Sequence, residues 1–209
     1  MSDCDKNEFE IEGRHLKKIK VAVFIDAHHL RRILKSHELN MWEFDLYQFS
    51  NLLCKGCYRY RTYYYDGRLE LDQRSPKYQK ENDFQDRLET NPPPRFAPKF
   101  GKMTMSHNGA YHQKQVDILL SIDLVDVAVS RAVDKVILVT NDMDFIPAIK
   151  KAKENLMTVG LVILEGQSTS NALKDSSDEL IHFSKVDMAQ LKLEKLPTEN
   201  NRENRTQPT

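Results

Sequence analysis

Two carboxylates, Asp142 and Asp144, stand two residues apart just after a run of aliphatic residues at 136–139. Such a run is typical of a strand buried on both faces, and Asp and Asn favour the start of the helix that follows. A second hydrophobic run, at 20–25, ends in the same way at Asp26. In open α/β sheets, ligands bind at the carboxyl edge of the strands. The pattern therefore predicts one acidic pocket, and crowded carboxylates of this kind are typical ligands of a divalent cation such as Mg²⁺.

A third candidate acid, Asp117, opens the longest helical pattern of the chain. Acids that are distant in sequence but lie at strand ends or helix starts suit a metal site that holds the attacking and leaving oxygens of a phosphodiester. Asp123 is less suitable, because six residues turn it about 120° around the helix from Asp117, and Asp126 falls on the opposite side. Taken singly, Asp26 or Asp142 could serve only as a helix N-cap. The coincidence of three such acids favours a functional site.

Three blocks of sequence resemble the signature blocks of NYN domains, a branch of the PIN-like ribonuclease superfamily. Residues 23–30 read Val-Phe-Ile-Asp-Ala-His-His-Leu, and residues 138–147 read Leu-Val-Thr-Asn-Asp-Met-Asp-Phe-Ile-Pro. Between them, residues 114–124 read Lys-Gln-Val-Asp-Ile-Leu-Leu-Ser-Ile-Asp-Leu. The resemblance covers about residues 19–184, and it is specific because the order and spacing of all three blocks agree.

The resemblance implies a Rossmann-like sheet and metal-dependent cleavage of single-stranded or structured RNA. The family's catalytic acids carry over to Asp26, Asp117 and Asp142, which would also be the ligands of Mg²⁺ or Mn²⁺. Asp144 carries over as a fourth catalytic acid. Asp123 also matches a family acid, for which we expect a structural or supporting role.

The chain departs from the family pattern at two places. The family's first block usually reads Asp-Gly-x-Asn, where residues 26–29 read Asp-Ala-His-His. His29 can still donate a hydrogen bond and is a candidate RNA contact. The third block usually begins Ser-Gly-Asp, where residues 140–142 read Thr-Asn-Asp. Asn141 tolerates the left-handed backbone that glycine would supply, and it is also a candidate RNA contact.

Other functions stay open at this point. The altered first block would suit a non-catalytic RNA-binding module that kept the pocket but lost turnover, and a regulatory protein-interaction module is a third class. A phosphatase of the haloacid-dehalogenase kind also places an Asp after the first strand. That chemistry needs a second Asp two residues later, where this chain has His28.

A stretch without acids, residues 90–116, precedes Asp117 and carries the basic residues Arg95, Lys99, Lys102 and Lys114. Aromatic residues lie between them, and this combination can pair with phosphates while rings stack on bases. The stretch is predicted to guide RNA towards the acidic pocket, and Lys114 is the strongest candidate. The alternative is a proline-rich surface loop whose aromatic residues cover the sheet.

The acids need elements that place them at one edge, and hydrophobic periodicity predicts such elements. Strands are expected at about 19–25, 58–65, 136–140, 157–164 and 181–183, and helices at 27–36, 43–54, 76–90, 113–133, 145–155 and from 171 on. This alternation predicts a mostly parallel, three-layer α/β/α sandwich. Four prolines exclude regular helix from residues 91–101. We expect a flexible leader at 1–17, one domain at 18–186 and a flexible tail at 187–209.

Composition limits which partners and which cellular location can be expected for the protein. The 209 residues carry 31 basic and 31 acidic side chains, so the overall charge gives no indication of a nucleic-acid partner. No apolar run approaches the ~20 residues that span a bilayer, and the N-terminus does not resemble a signal peptide. We expect a cytoplasmic protein, with RNA as partner and a homodimer left open. Cys54 and Cys57 form a lone C-x-x-C, for which free thiols are favoured over a zinc site.

Overall fold

A computed structural model gives the structure, and it describes the backbone of residues 8–11, 14–68, 78–105 and 111–193 and the side chains of 17–68, 78–103 and 115–193. The strands are β1 (Glu8–Ile11), β2 (Arg14–Lys17), β3 (Lys20–Asp26), β4 (Tyr58–Arg68), β5 (Phe96–Met105), β6 (Tyr111–Lys114), β7 (Lys135–Val139), β8 (Thr158–Leu164) and β9 (Glu179–Phe183). The α-helices are α1 (Ala27–Ser36), α2 (Leu46–Leu53), α3 (Gln79–Thr90), α4 (Val116–Ser130), α5 (Ile146–Glu154), α6 (Asn171–Ser176) and α7 (Lys185–Gln190). Short 3₁₀ turns at Met41–Glu43 and Met143–Phe145 precede α2 and α5.

Seven of the strands form one sheet in the order β6-β5-β4-β3-β7-β8-β9. Six of them are parallel, and β6 runs antiparallel to β5 at one edge. The predicted α/β fold with a mostly parallel sheet is therefore confirmed. Strand β3 lies at the centre and is buried from Val21 to Asp26, which explains its continuous hydrophobic run.

Two hydrophobic cores lie on opposite faces of the sheet, because alternate residues of a strand point to opposite sides. Val23 and Ile25 belong to the core formed with α1, α2, α3 and α7. Phe24 belongs to the other core, formed with α4, α5 and α6. The three layers of the predicted sandwich are thus helices, sheet and helices.

Strand β5 was missed by the sequence prediction, which saw only a proline-rich segment without helix. The strand pairs in parallel with β4, with Pro98 opposite Tyr64. Its pairing with β6 begins only at Lys102. In the described part of the chain, Pro98 therefore lies where β5 is an edge strand, the place in a sheet where proline is tolerated. Residues 113 and 114, predicted as the start of the long helix, belong to β6 instead.

Both predicted flexible ends contain regular structure. Within the leader, β1 and β2 pair as a separate antiparallel two-stranded sheet. At the other end, helix α7 begins with a capping box between Ser184 and Asp187 and buries Met188 and Leu191 in the first core. This packing continues past the boundary predicted at residue 186, and the division of the chain into domain and tails stays a prediction. The rest of the predicted tail, from residue 194, lies outside the described residues.

Cys54 is buried, Cys57 is half-buried, and both are free thiols. Helix α2 ends just before Cys54, and a turn connects it to β4. In this turn the Cys57 N–H donates to the Cys54 carbonyl over 2.8 Å. Among the described helices, none combines the length and the apolar character needed to cross a bilayer.

Substitution of Met188 by alanine tests whether α7 belongs to the domain. Because its side chain is fully buried in the first core, we expect Met188→Ala to lower the free energy of unfolding by about 2–5 kcal/mol. The matched change Val186→Ala, at an exposed position of the same helix, should cost less than about 0.5 kcal/mol. Urea denaturation measures both, and equal effects would contradict the placement of α7.

Candidate active site

Asp26 lies where the central strand β3 ends and α1 begins. Its Oδ1 accepts a hydrogen bond from the His29 N–H over 3.2 Å, so it caps the helix. Its Oδ2 accepts from the Thr140 hydroxyl over 3.0 Å. The residue is only 7% exposed, and this burial raises the pKa of its carboxyl, although both hydrogen bonds act in the opposite direction. Asp26 is therefore more than an N-cap, because a second strand also holds it.

That second strand is β7, whose last residue Val139 pairs with Ile25 of β3. The next residue, Thr140, is fully buried beside Asp26. Its Oγ1 donates to Asp26 and also accepts from the Asp142 N–H over 3.2 Å. One hydroxyl group thus connects the first and third acidic positions.

Asp142 caps the 3₁₀ turn that follows, and its Oδ1 accepts from the Asp144 N–H over 2.9 Å. Asp142 is half-buried and Asp144 is exposed. The Asp-x-Asp spacing is therefore the geometry of a capped turn, with two carboxylates left at the lip of the sheet.

Asp117 joins this group from α4, the helix that follows β6 along the chain. The residue before the helix, Gln115, has a left-handed backbone (φ 74°), which turns the chain from strand into helix. The pKa of the Asp117 carboxyl is raised, first by burial and then by the negative charges of Asp26, Asp142 and Asp144. The structure thus brings together the four acids that the sequence predicts.

The donor set fits a hard cation better than a zinc ion. All four candidate ligands are carboxylates, and Mg²⁺ usually takes one or two carboxylates and completes its shell with waters and phosphate oxygens. Among the described residues, no three His, Cys, Asp or Glu side chains are arranged so that they could together hold a metal ion, and this includes the four carboxylates. A closed structural zinc site needs four such ligands. A divalent cation at this edge would also relieve the mutual repulsion that raises the pKa of Asp117.

His29 has a different place from the one predicted. Its ring is 3% exposed, and its Nε2 lies 2.8 Å from Oε1 of Gln167. Burial lowers the pKa of the imidazole to about 4, so the ring is neutral at pH 7. His29 therefore packs beneath the site and does not lie on the surface predicted to meet RNA.

Asn141 also contacts the protein itself. Its Nδ2 donates to the Ser168 carbonyl over 2.8 Å, while its Oδ1 is buried without a hydrogen-bond partner among the described residues. Its backbone is not among the described positions with positive φ, so the left-handed conformation expected from the family's glycine is absent there. Together with the bond from His29 to Gln167, this contact fixes the loop at 165–170 against the site.

The loop at 165–170 was missed from the sequence, which shows no acid pair or basic cluster there. It follows β8, and the carboxyl ends of parallel strands meet at one edge of a sheet. The same rule, applied to β8 as well as to β3 and β7, would have predicted that the loop at 165–170 lies beside the acids.

Asp123 has the supporting position that we expected. Its Oδ2 accepts from the Tyr65 hydroxyl over 2.7 Å and forms an ion pair with Lys99 Nζ at 2.6 Å. Tyr65 pairs with Asp26 across β4 and β3. Lys99 is thus held by Asp123, and its Nζ also lies 5.6 Å from the ring centre of Tyr63.

The other predicted basic residues separate into two groups. Arg95 precedes β5, at the edge of the sheet opposite the acids, where it donates to the Arg59 carbonyl over 3.1 Å and covers the ring of Tyr58. Lys102 and Lys114 are paired across β5 and β6, close to the carboxyl edge. The prediction of one continuous basic path is therefore wrong for Arg95, and the side chain of Lys114 lies outside the described part.

The family model of the NYN domain matches residues 20–187. The chain belongs to the NYN domain family. The match includes all four acids and the Thr140 that connects two of them. No curated protein matches the sequence.

Among solved structures, the chain is similar to a protein of unknown function from Vibrio parahaemolyticus, with 18% identity and a TM-score of 0.56. The similarity covers 79% of this chain and 93% of that chain, and it supports the fold alone. A protein from Parabacteroides merdae, provisionally described as an oxidoreductase, matches with 11% identity and a TM-score of 0.31. That match covers 79% of this chain and 31% of the other, and the similarity is too low to support any argument.

Removal of the Thr140 hydroxyl tests the connection between the first and third acidic positions. Valine has a similar shape but can neither donate to Asp26 nor accept from the Asp142 N–H. We expect Thr140→Val to lower the free energy of unfolding by about 1–3 kcal/mol, because both buried partners lose a hydrogen bond. Thr90→Val, at the exposed end of α3, is the matched control and should change stability by less than about 0.5 kcal/mol. A Thr140→Val protein as stable as the control would disprove the connection.

Proposed function

We propose that this NYN domain is a metal-dependent endoribonuclease that hydrolyses RNA phosphodiester bonds at the carboxyl edge of its sheet. The observation that carries the proposal is the mutual influence of the four carboxylates. Besides burial, the negative charges of Asp26, Asp142 and Asp144 raise the pKa of Asp117. Carboxyl groups with a raised pKa at a ligand-binding edge, as Asp26 and Asp117 have, are typical of functional sites. Membership of a family with a nuclease-like fold supports the same reading.

Asp26, Asp117 and Asp142 would hold the cation. When bound, Mg²⁺ or Mn²⁺ would activate a water for attack on the phosphodiester and stabilise the charge that develops on its oxygens. The Thr140 hydroxyl keeps the Asp26 Oδ2 in a fixed direction, which limits the reorganisation needed on binding. Asp144, the most exposed partner of Asp142, orients the ligand shell or the incoming RNA.

RNA would reach this edge past Lys102 and Lys114, whose strands lie beside it. Positive side chains at such a place bind backbone phosphates without regard to sequence. Lys99 is held by Asp123 and Arg95 lies at the opposite edge, so neither is part of this proposal. A cytoplasmic location stays a prediction, and nothing among the described residues supports the homodimer.

A second candidate function is a non-catalytic RNA-binding module, and the burial of His29 favours it. In the family, an Asn at this position is suited to holding a metal-bound water or a phosphate, whereas the His29 ring is turned to Gln167. Such a module would bind RNA equally well in the presence of EDTA and would cleave none of it.

The substitution Asp142→Asn distinguishes the nuclease from the non-catalytic RNA-binding module. We expect Asp142→Asn to reduce cleavage of labelled single-stranded RNA in Mn²⁺ or Mg²⁺ by roughly 10²-fold or more, because it removes one ligand charge from the site. EDTA should abolish the cleavage by the unchanged protein, and excess Mn²⁺ should restore it.

The matched control is Asp126→Asn, an equal loss of charge at an exposed position of α4. It should cleave like the unchanged protein, and both variants should keep the same melting temperature. Full activity in the Asp142→Asn protein would refute the proposed site. RNA binding without cleavage by the unchanged protein would favour the non-catalytic module.

The role of Lys114 can be measured without cleavage in the Asp142→Asn background. We expect Lys114→Ala to weaken the binding of a single-stranded RNA and to reduce the slope of log Kobs against log salt by about 1, the effect of one lost phosphate contact. Lys35→Ala, at the exposed C-terminal end of α1, is the control for loss of one positive charge. Fluorescence anisotropy at several salt concentrations gives both slopes, and an unchanged slope for Lys114→Ala would exclude a phosphate contact.

A further inference from the structure

A pocket lies beside the acidic edge, on the face of the sheet covered by α1 and α3. It is bounded by Arg31, Gly67, Tyr78, Glu81, Asn82, Gln85 and Met103. Its cavity volume is about 200 Å³, which is smaller than the roughly 300–1,000 Å³ of pockets for drug-sized ligands. None of the four candidate catalytic acids borders it.

The floor of the pocket is rigid. Asp66, only 1% exposed, lies behind it and accepts hydrogen bonds from Arg31 at 2.6 Å, Tyr64 at 3.1 Å, Gln85 at 2.8 Å and the Gly67 N–H at 2.9 Å. The second hydrogen of the Gln85 amide goes to the Gly67 carbonyl over 3.0 Å. A fully bonded buried carboxylate of this kind fixes the side chains around it.

The charge of the pocket is unsuited to a phosphate. Among the described residues, Arg31 is its only basic lining residue, and Arg31 forms ion pairs with Asp66 at 2.6 Å and with Glu81 at 2.7 Å. The three charges together leave one net negative charge. An anionic group would therefore be repelled, whereas a neutral group would not.

Asn82 is the polar group in the pocket that lacks a partner. Its side chain is 4% exposed, and its Nδ2 is buried without a hydrogen bond to the described residues. A buried amide without a hydrogen-bond partner destabilises the protein, and a partner supplied by a ligand would remove that cost. An Asn amide offers one donor and one acceptor side by side, which is the pattern that pairs with the edge of a nucleobase.

The remaining walls suit a flat ring. Gly67 presents no side chain, Tyr78 contributes an aromatic ring, and Met103 contributes a thioether that adapts to the shape of its neighbour. Aromatic faces stack on any of the four bases, and each such contact stabilises binding.

The pocket is also within reach of a strand bound at the acids. Asp26 pairs with Tyr65, and Gly67 is two residues farther along β4. Since neighbouring strands are about 4.8 Å apart and two residues rise about 7 Å, the Cα atoms of Asp26 and Gly67 are separated by roughly 8 Å. The acids and the pocket therefore lie at the same end of the sheet but on opposite faces, since Asp26 follows Ile25 of the first core. An RNA strand must cross the sheet edge for the base of a nucleotide close to the cleaved bond to enter the pocket.

We propose that this pocket binds one unpaired nucleobase of the RNA, with the Asn82 amide pairing with its edge and Tyr78 against its face. The inference rests on the proposed RNA-directed function, and it adds a source of base preference to a site that otherwise holds only the backbone.

The test uses the full chain with Asp142→Asn, so that RNA is bound without being cleaved. Affinities for four single-stranded decamers, each rich in one base, are measured by fluorescence anisotropy. We expect the tightest and weakest to differ by about fivefold or more, the lower end of what one good side-chain–base pair discriminates. Asn82→Leu, which keeps the size but removes the amide, should reduce this ratio to below about twofold. Asn91→Leu, the same change at the exposed end of α3, should leave the ratio unchanged.

Asn82→Asp serves as a second variant that keeps the shape and adds negative charge, and it should lose the preference as well. A folded Asn82→Leu or Asn82→Asp protein that keeps the full ratio would overturn the base pocket while leaving the nuclease proposal intact. RNA bound with no base preference by the parent would overturn the pocket in the same way. No RNA binding by any of the proteins would overturn the proposed function as well.

Discussion

The parallel pairing of β3 with β7 is the constraint on which the site depends. Register places Val139 opposite Ile25, so the residues that follow each strand, Thr140 and Asp26, come side by side. The single Thr140 hydroxyl then donates to Asp26 and accepts from the Asp142 backbone. A slip by one residue would turn every side chain of the strand to the other face of the sheet, and both hydrophobic cores prevent it. The buried strands thus determine the positions of polar groups at the sheet edge.

Around this centre, the two departures from the family's sequence pattern have one common consequence. His29 and Asn141 both bond to the loop at 165–170, through Gln167 and the Ser168 carbonyl. Groups that could have met a ligand instead hold a third loop against the acids. The carboxylates are left as the polar groups best placed to meet a cation, and their negative charges add to the effect of burial in raising the pKa of Asp117. Any activity should therefore depend on the acids and hardly at all on His29 as a proton carrier, because its pKa is lowered to about 4.

Much of this arrangement could be predicted from the sequence, because the decisive signals are local. A buried parallel strand is a continuous hydrophobic run, and an acid directly after it must lie at the carboxyl edge, as Asp26 and Asp142 do. What could not be predicted depends on partners that are distant in sequence. The prolines at 91–101 excluded a helix, but β5 was missed because the sequence does not reveal which stretch of it is an edge strand where Pro98 is tolerated. Arg95 is only one residue from a strand that leads to the site, yet it lies at the wrong end of it, and the burial of His29 depends on Gln167.

The central claim is that four carboxylates form one cation site, and a Mn²⁺ titration of the full chain without RNA tests it most directly. Electron paramagnetic resonance counts free Mn²⁺, so bound ions are obtained by difference. The account predicts saturable binding that Asp26→Asn and Asp142→Asn each weaken, while Asp126→Asn leaves it unchanged. The account would be contradicted if the unchanged protein showed no saturable binding of Mn²⁺. It would also be contradicted if neither Asp26→Asn nor Asp142→Asn weakened that binding.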